Sequence, residues 1–328
     1  MKIVIADYAD SMMPAHTKEV AFLRARLPEA EVITYVYQDE RPAEFYDVLE
    51  DATALLTGFI KIDGELLAHA PHLRVISINA TGYDNIDLEQ AKLHEVGICV
   101  VGEYCTEDVA EFTLATMLSL VKNLRFYEND VEKHEQWRFD YPPINKRLRE
   151  MTLGIFGFGK IGSAVAKKAR GLGMSVLAYD PYTVKEEKAK RIGVSICSDP
   201  KEVLERADII TNHMNLNQTN YHFFDKNKFA GMKLQPYFIN MSRGACVMEA
   251  DLIQALDDNL LRGAALDVLT SEQPQLAHQP LLGRENVLVT PHAAFYSQTS
   301  LEALQKISCQ NIVHYLLGER DQIFKLVM

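Results

Sequence analysis

Arg243, Glu272 and His292 are the side chains of this sequence best suited to hold an anion and move a proton. Each follows an apolar, strand-like run. Arg243 comes after Tyr237-Phe238-Ile239-Asn240, Glu272 after Ala264-Ala265-Leu266-Asp267-Val268, and His292 after Val287-Leu288-Val289-Thr290-Pro291. Histidine exchanges a proton near neutral pH, so it serves as acid in one direction and base in the other. A carboxylate beside it favours the imidazolium and orients the ring. A guanidinium grips a carboxylate through a forked pair of hydrogen bonds and polarises a neighbouring carbonyl. Singly, each residue reads more readily as a solvated loop side chain. Their joint placement after strands of one series suits hydride transfer between a dinucleotide and a small 2-keto or 2-hydroxy acid.

A dinucleotide site lies upstream. Gly157-Phe158-Gly159-Lys160-Ile161-Gly162 is a G-x-G-x-x-G that follows the strand-like Leu153-Gly154-Ile155-Phe156. It opens a helical stretch with Ile161, Ala164, Val165 and Ala169 on one face. The glycines serve a tight turn, the approach of a pyrophosphate and close helix–strand packing, and the helix N-terminus supplies N–H donors. Asp180 ends the next strand, Ser175 to Tyr179, eighteen residues after Gly162. A carboxylate there accepts from ribose hydroxyls and repels a 2′-phosphate, which selects NAD over NADP. The competing reading is a glycine turn in a nucleotide-free domain, with Asp180 as a helix cap before Pro181.

Two alternating strand–helix series position these residues, and such alternation argues for parallel sheets. The first has strand-like runs at Ile3–Ala6, Val32–Tyr35, Ala54–Leu56, Val75–Ile78 and Ile98–Val101, with helical stretches such as Glu19–Leu27 and Leu88–Glu95. Gly97 stands where a helix C-terminus tolerates positive φ. The second series adds Ile209–Thr211 to the strands already named. Between them, Cys105 to Lys133 reads as one long helix, apolar nearly all round over Phe112–Val121. Such a helix is buried on more than one side, by a domain interface or by a second copy in a homodimer. Trp137 to Lys146 reads as a linker, and Ser300 to Leu317 as a final helix stopped by Gly318.

Composition narrows the function classes. The 328 residues suit two domains of ordinary size, and 48% hydrophobic with 24% charged residues is a globular balance. With 34 Lys+Arg against 45 Asp+Glu the net charge is −11, which disfavours nucleic acid as a partner. The ten residues Phe112–Val121 span about half a membrane, and Met1–Asp7 meets a charge too early for a signal peptide. Five scattered cysteines without a C-x-x-C fit a reduced, cytoplasmic protein with no metal site.

Along almost its whole length the sequence resembles the D-isomer-specific 2-hydroxyacid dehydrogenases. Ala80–Asp87, Val109-Ala110-Glu111, Leu153–Gly162, Asn240–Gly244, Ala265–Val268 through Glu272, and Thr290-Pro291-His292 carry the resemblance. It implies an α/β protein of two doubly wound parallel-sheet domains. A flavodoxin-like substrate domain (1–101 plus 296–328) would hold an inserted Rossmann NAD-binding domain (102–295), with substrate between them. It also implies Arg243, Glu272 and His292 as catalytic residues, and Thr81 and Gly82 as the backbone that holds the substrate carboxylate. Implied NAD contacts are Thr81, then Phe158, Gly159, Lys160, Ile161, Gly162 and Ser163, then Asp180. They continue through His213, Met214, Asn215 and Thr219 to Met241, Ser242, Arg243, Asp267, His292 and Ala294. At His213 the backbone rather than the imidazole is expected to meet the cofactor.

Three positions depart from the family pattern: Asn215 and Gln273 replace prolines, and Met248 an acid. None removes a reacting group. Pro291–Ser297, with Phe295-Tyr296 after the histidine, resembles both the D-lactate-type dehydrogenases and the C-terminal-binding-protein corepressors. The alternative to an enzyme is therefore an NAD-sensing protein scaffold, and the catalytic residues alone do not separate the two. Tyr104, Tyr296, Trp137 and Met241 are candidates to line the substrate site, or to pack between domains.

Overall fold

Parallel strands buried on both faces are built from continuous apolar runs rather than alternating ones, and the short runs of this sequence form two such sheets. The structure is a computed structural model, and it describes residues 1–9, 16–140, 142–182, 186–272 and 274–328. Gln273, one of the departures noted above, lies outside the described residues. Contacts divide the chain into two compact units, one of Met1–Tyr104 with Ser297–Met328, the other of Cys105–Tyr296.

The first unit holds β1 (Lys2–Tyr8), β2 (Glu31–Tyr37), β3 (Ala54–Thr57), β4 (Val75–Ile78) and β5 (Gly97–Val100). All pair in parallel in the order β2-β1-β3-β4-β5, the flavodoxin-like order. β3, β4 and β5 are buried at every position. The helix Gln298–Leu317 packs on β3, β4 and β5. Ser297 and Ser300 close a capping box at its start, and Gly318 ends it at φ 80°, as its sequence suggests.

Gly97 has a different job from the one its position suggests. The helix Leu88–Leu93 ends at His94, and the residue that turns to positive φ is Glu95, at 56°. Gly97 begins β5, and a Cβ on it would lie 2.2 Å from the ring of Tyr315. The glycine is there because the Tyr315 ring of the last helix occupies the space a side chain would need.

The second unit holds β6 (Thr152–Phe156), β7 (Ser175–Tyr179), β8 (Ser195–Ile196), β9 (Ile209–Asn212), β10 (Tyr237–Asn240), β11 (Gly263–Leu266) and β12 (Val287–Val289). Their order is β12-β11-β10-β9-β6-β7-β8, all parallel. That is the doubly wound Rossmann order, extended by one strand, with its reversal point between β6 and β9.

The single long helix expected over Cys105–Lys133 is two helices, Thr106–Val121 and Leu124–Glu132. Asn123 breaks it at φ 54°, a conformation asparagine tolerates better than most residues. Asn123 donates to the Pro143 carbonyl at 3.0 Å and Asn145 to the Val121 carbonyl at 3.0 Å, so the break is tied to the following loop. The first helix is buried within its own unit, against the helix Lys160–Gly171 and strands β10 and β11. Its apolar girth therefore needs no second copy. Among the described residues no helix is long and apolar enough to cross a membrane.

Gly97→Ala should lower the thermal midpoint by several degrees, because overpacking a filled core costs about 1–3 kcal/mol. Circular dichroism melts of the full chain check this. The companion change Gly171→Ala, where a Cβ meets nothing within 4 Å, should leave the midpoint where it is or raise it.

Candidate functional site

In open α/β sheets ligands bind beyond the carboxyl ends of the strands, next to the reversal point. In the second unit this is where the G-x-G-x-x-G lies. Gly157 follows β6 at φ 88°, and a Cβ on it would lie 2.6 Å from the backbone of His213 and Met214. A Cβ on Gly162 would lie 2.1 Å from the Gly157 carbonyl, so the helix Lys160–Gly171 packs on the loop only because this residue is glycine. Gly159 differs from both. Its Cβ would meet nothing within 4 Å, and it stands at the start of that helix, which no side chain caps. The first-turn N–H groups of an uncapped helix are a ready anion site.

A groove of about 610 Å³ opens here, lined by Gly157–Lys160, Asp180–Tyr182, Lys188, His213–Asn215 and Asn220. Asp180, at the end of β7, accepts from Phe158 N–H at 2.6 Å and from Tyr182 N–H at 2.9 Å. Each oxygen keeps a second acceptor position for a hydroxyl donor. Of the expected cofactor residues, Phe158, Gly159, Lys160, Asp180, His213, Met214 and Asn215 border this groove, and Thr219 does not. Thr219 bonds to Asn217 instead, through N–H and hydroxyl at 2.8 and 2.6 Å. Ser163 turns its hydroxyl back to the Gly159 carbonyl at 2.6 Å. Tyr182, Lys188 and Asn220 line the groove without having been expected. Tyr182 stands two residues after the strand-end acid, whereas nothing in the spacing marks Lys188 or Asn220.

His213 sits on the groove wall with Nε2 3.0 Å from the Thr211 hydroxyl and Nδ1 buried without a protein partner. Burial pushes its pKa down to about 3 from an ordinary 6.5, so the ring is neutral at physiological pH.

The second cluster lies at the ends of β10, β11 and β12. His292 Nδ1 is 2.7 Å from Glu272 Oε2. His292 itself is at φ 51°, a conformation that costs a non-glycine residue about 1 kcal/mol or more. Asp267, 2% exposed at the end of β11, holds the turn. Its carboxylate accepts from the Thr290 hydroxyl at 2.6 Å and from the N–H groups of Ala293 and Ala294 at 2.8 and 2.9 Å. Its carbonyl accepts the His292 N–H at 2.7 Å. With both oxygens so occupied, Asp267 is first a support for the histidine turn. Arg243, beyond β10, donates to the Ser242 carbonyl at 3.0 Å. Met241 and Ala294 are buried, and Tyr296 is largely exposed.

In the first unit Thr81 and Gly82 follow β4, with the Thr81 hydroxyl on the Val101 carbonyl at 2.9 Å. Tyr104 packs beside Val101 and Leu304.

Residues 114–294 match the family model for the NAD-binding domain of D-isomer-specific 2-hydroxyacid dehydrogenases. The chain belongs to that family. Among curated members it is 32% identical to the D-3-phosphoglycerate dehydrogenase of Methanocaldococcus jannaschii over 97% of this chain, and spans 58% of that protein's length. It is also 32% identical to the glyoxylate reductase of Korarchaeum cryptofilum, over 87% of this chain and 86% of that one. Among solved dehydrogenases, the D-lactate dehydrogenase of Aquifex aeolicus, determined with NAD and lactic acid, superposes with a TM-score of 0.87 at 27% identity. That match covers 99% of this chain and 98% of the other.

As a dehydrogenase of this family the chain takes NAD, and the groove fits it: the second unit offers an uncapped helix start, a glycine with open space above it, a strand-end carboxylate and an orphaned buried imidazole nitrogen.

His213 makes stability depend on acid. The folded chain keeps the ring neutral, while the unfolded chain protonates it below about pH 6.5, so its contribution is full above that pH and lost as pH falls toward 3. His213→Gln should remove this loss. Urea unfolding at pH 7 and pH 5 should show a decline on the order of 1–2 kcal/mol smaller in the variant than in the parent.

Proposed function

We propose that the chain is an NAD-dependent D-2-hydroxyacid dehydrogenase that interconverts a small 2-keto acid and its 2-hydroxy acid, with His292, Glu272 and Arg243 as its catalytic residues. The observation that carries the reading is the His292–Glu272 pair at 2.7 Å in the unit that holds the nucleotide groove. NAD, when bound, supplies the hydride donor or acceptor. Glu272 holds Nδ1 and so fixes the orientation of the ring. Nε2 is then the atom that gives a proton to the new hydroxyl in reduction and takes it back in oxidation. The Arg243 guanidinium binds the substrate carboxylate and polarises the carbonyl, and Thr81 and Gly82 offer backbone N–H groups to that carboxylate. Asp180 selects NAD by accepting from ribose hydroxyls and repelling a 2′-phosphate.

Tyr104 and Tyr296 are proposed as contacts to the substrate's side chain. The D-lactate and glyoxylate chemistry named for the relatives points to a short 2-keto acid. The scaffold alternative gains nothing from these relatives, which carry enzyme names. All five cysteines are buried, and a cytoplasmic setting is part of this reading.

A homodimer is part of this reading, on new grounds. Trp137, Phe139 and Ile144 are 91%, 85% and 95% exposed in one loop of the second unit. Large apolar side chains gathered so openly mark an association surface, and a second copy is the commonest occupant.

NADH absorbance should fall when the purified chain meets one of glyoxylate, pyruvate, hydroxypyruvate, 2-ketoisocaproate or phenylpyruvate. His292→Ala should lower that turnover about 100-fold or more while NADH still binds, as followed by cofactor fluorescence; silence of the parent across the panel would remove the assignment. Light scattering should give about twice the 37.1 kDa chain mass. Paired Trp137→Ser and Phe139→Ser changes should shift the chain toward monomer.

A further inference from the structure

Asn212 and Asn240 end β9 and β10, directly opposite each other in the sheet register. They are 0% and 1% exposed. An asparagine at the end of a buried parallel strand occupies a place that an apolar side chain would fill at less desolvation cost, so its polar atoms must be accounted for. Asn212 Oδ1 accepts the Met214 N–H at 3.2 Å, and its Nδ2 donates to Asn240 Oδ1 at 3.1 Å. Asn240 Oδ1 also accepts the Ser242 N–H at 3.2 Å, and its Nδ2 donates to the Arg243 carbonyl at 3.0 Å. The Ser242 hydroxyl returns to the Met214 carbonyl.

These bonds close a ring through two loops. One loop, His213–Asn215, walls the nucleotide groove, and the other carries Arg243. The orientation of each amide follows from its neighbour's. Asn212 must aim its oxygen at the Met214 N–H, so its NH₂ faces Asn240. Asn240 must then aim its oxygen at Asn212, which leaves its NH₂ for the Arg243 carbonyl.

We propose that Asn212 is a positioning residue for Arg243. Acting through Asn240, it fixes the backbone from which the guanidinium extends and ties that backbone to the cofactor loop. The proposal rests on the dehydrogenase reading above, in which Arg243 binds the substrate carboxylate. A guanidinium that grips a carboxylate in a forked geometry needs its base held to about 0.5 Å, and the side chain itself is too flexible to provide that.

The test uses the full chain, its preferred 2-keto acid and NADH. Asn212→Leu keeps the branched shape of the side chain and removes both bonds. It should raise the KM for the keto acid about ten-fold or more, with the Kd for NADH within about two-fold of the parent's. Asn212→Ser, milder should the leucine variant not fold, should show the same split. Asn212→Asp adds a signature that plain destabilisation would not. A neutral carboxyl can donate to Asn240 and a carboxylate cannot, so its KM defect relative to the parent should shrink as pH falls. An unchanged KM in these variants overturns the proposal. So does a parallel rise in keto-acid KM and NADH Kd, which would make Asn212 a support of the cofactor loop alone. A parent silent with every keto acid, though NADH binds, is the failure of the dehydrogenase reading itself and takes the proposal with it.

Discussion

Three neighbouring strands of the second sheet end in buried polar side chains, Asn212 on β9, Asn240 on β10 and Asp267 just past β11. A parallel sheet brings every strand out on the same edge, and the loops leaving that edge have no ladder to hold them. Here each is held by the residue at the strand's end. Asn212 holds the start of the groove wall, Asn240 the base of Arg243, and Asp267 the turn of His292. Leaving any of these groups without its partners costs about 1–3 kcal/mol, so the loops have one well-defined arrangement rather than several.

The same edge explains why different kinds of chemistry sit side by side. Next to these three strands, β6 is followed by Gly157 rather than by a polar side chain, because there the His213 backbone comes to 2.6 Å from where a Cβ would be. Most of the edge is thus specified by side-chain hydrogen bonds, and the exit of β6 by the lack of a side chain. The first sheet repeats the parallel scheme with Asp7 at the end of β1. Burial raises the pKa of its carboxyl, and the N–H groups of Gly58, Phe59 and Tyr8 oppose that rise.

The sequence was most legible where one residue type has one use. Continuous apolar runs marked eleven of the twelve described strands, and the two-residue β8 escaped because it is too short to show a run. The glycine loop, the strand-end acid and the histidine after proline all lay where the chain pattern put them. Legibility failed where a residue's use depends on something far off in sequence. Gly97 looks like a helix stop because the ring it makes room for is more than two hundred residues away. The break at Asn123 is set by a loop twenty residues on, and no local pattern in Phe112–Lys133 announces it. Asn212 drew no notice for the same reason, since its partner sits on the neighbouring strand.

The first unit takes its residues from either side of the second in sequence, and this sets an order for its making. The last helix covers β3, β4 and β5, and the final residues run beside β5, with the Val100 N–H on the Lys325 carbonyl at 3.0 Å and the Val327 N–H on the Ile98 carbonyl at 2.8 Å. As the chain leaves a ribosome, five strands emerge early with one face of β3, β4 and β5 bare, and the helix that covers it follows only after the whole second unit. The inserted unit is a continuous segment and can fold during that interval. Its folding shortens the loop that the ends must close, which lowers the entropic cost of bringing Tyr315 to Gly97. The second unit, besides holding the nucleotide groove, therefore acts as a folding clamp for the first.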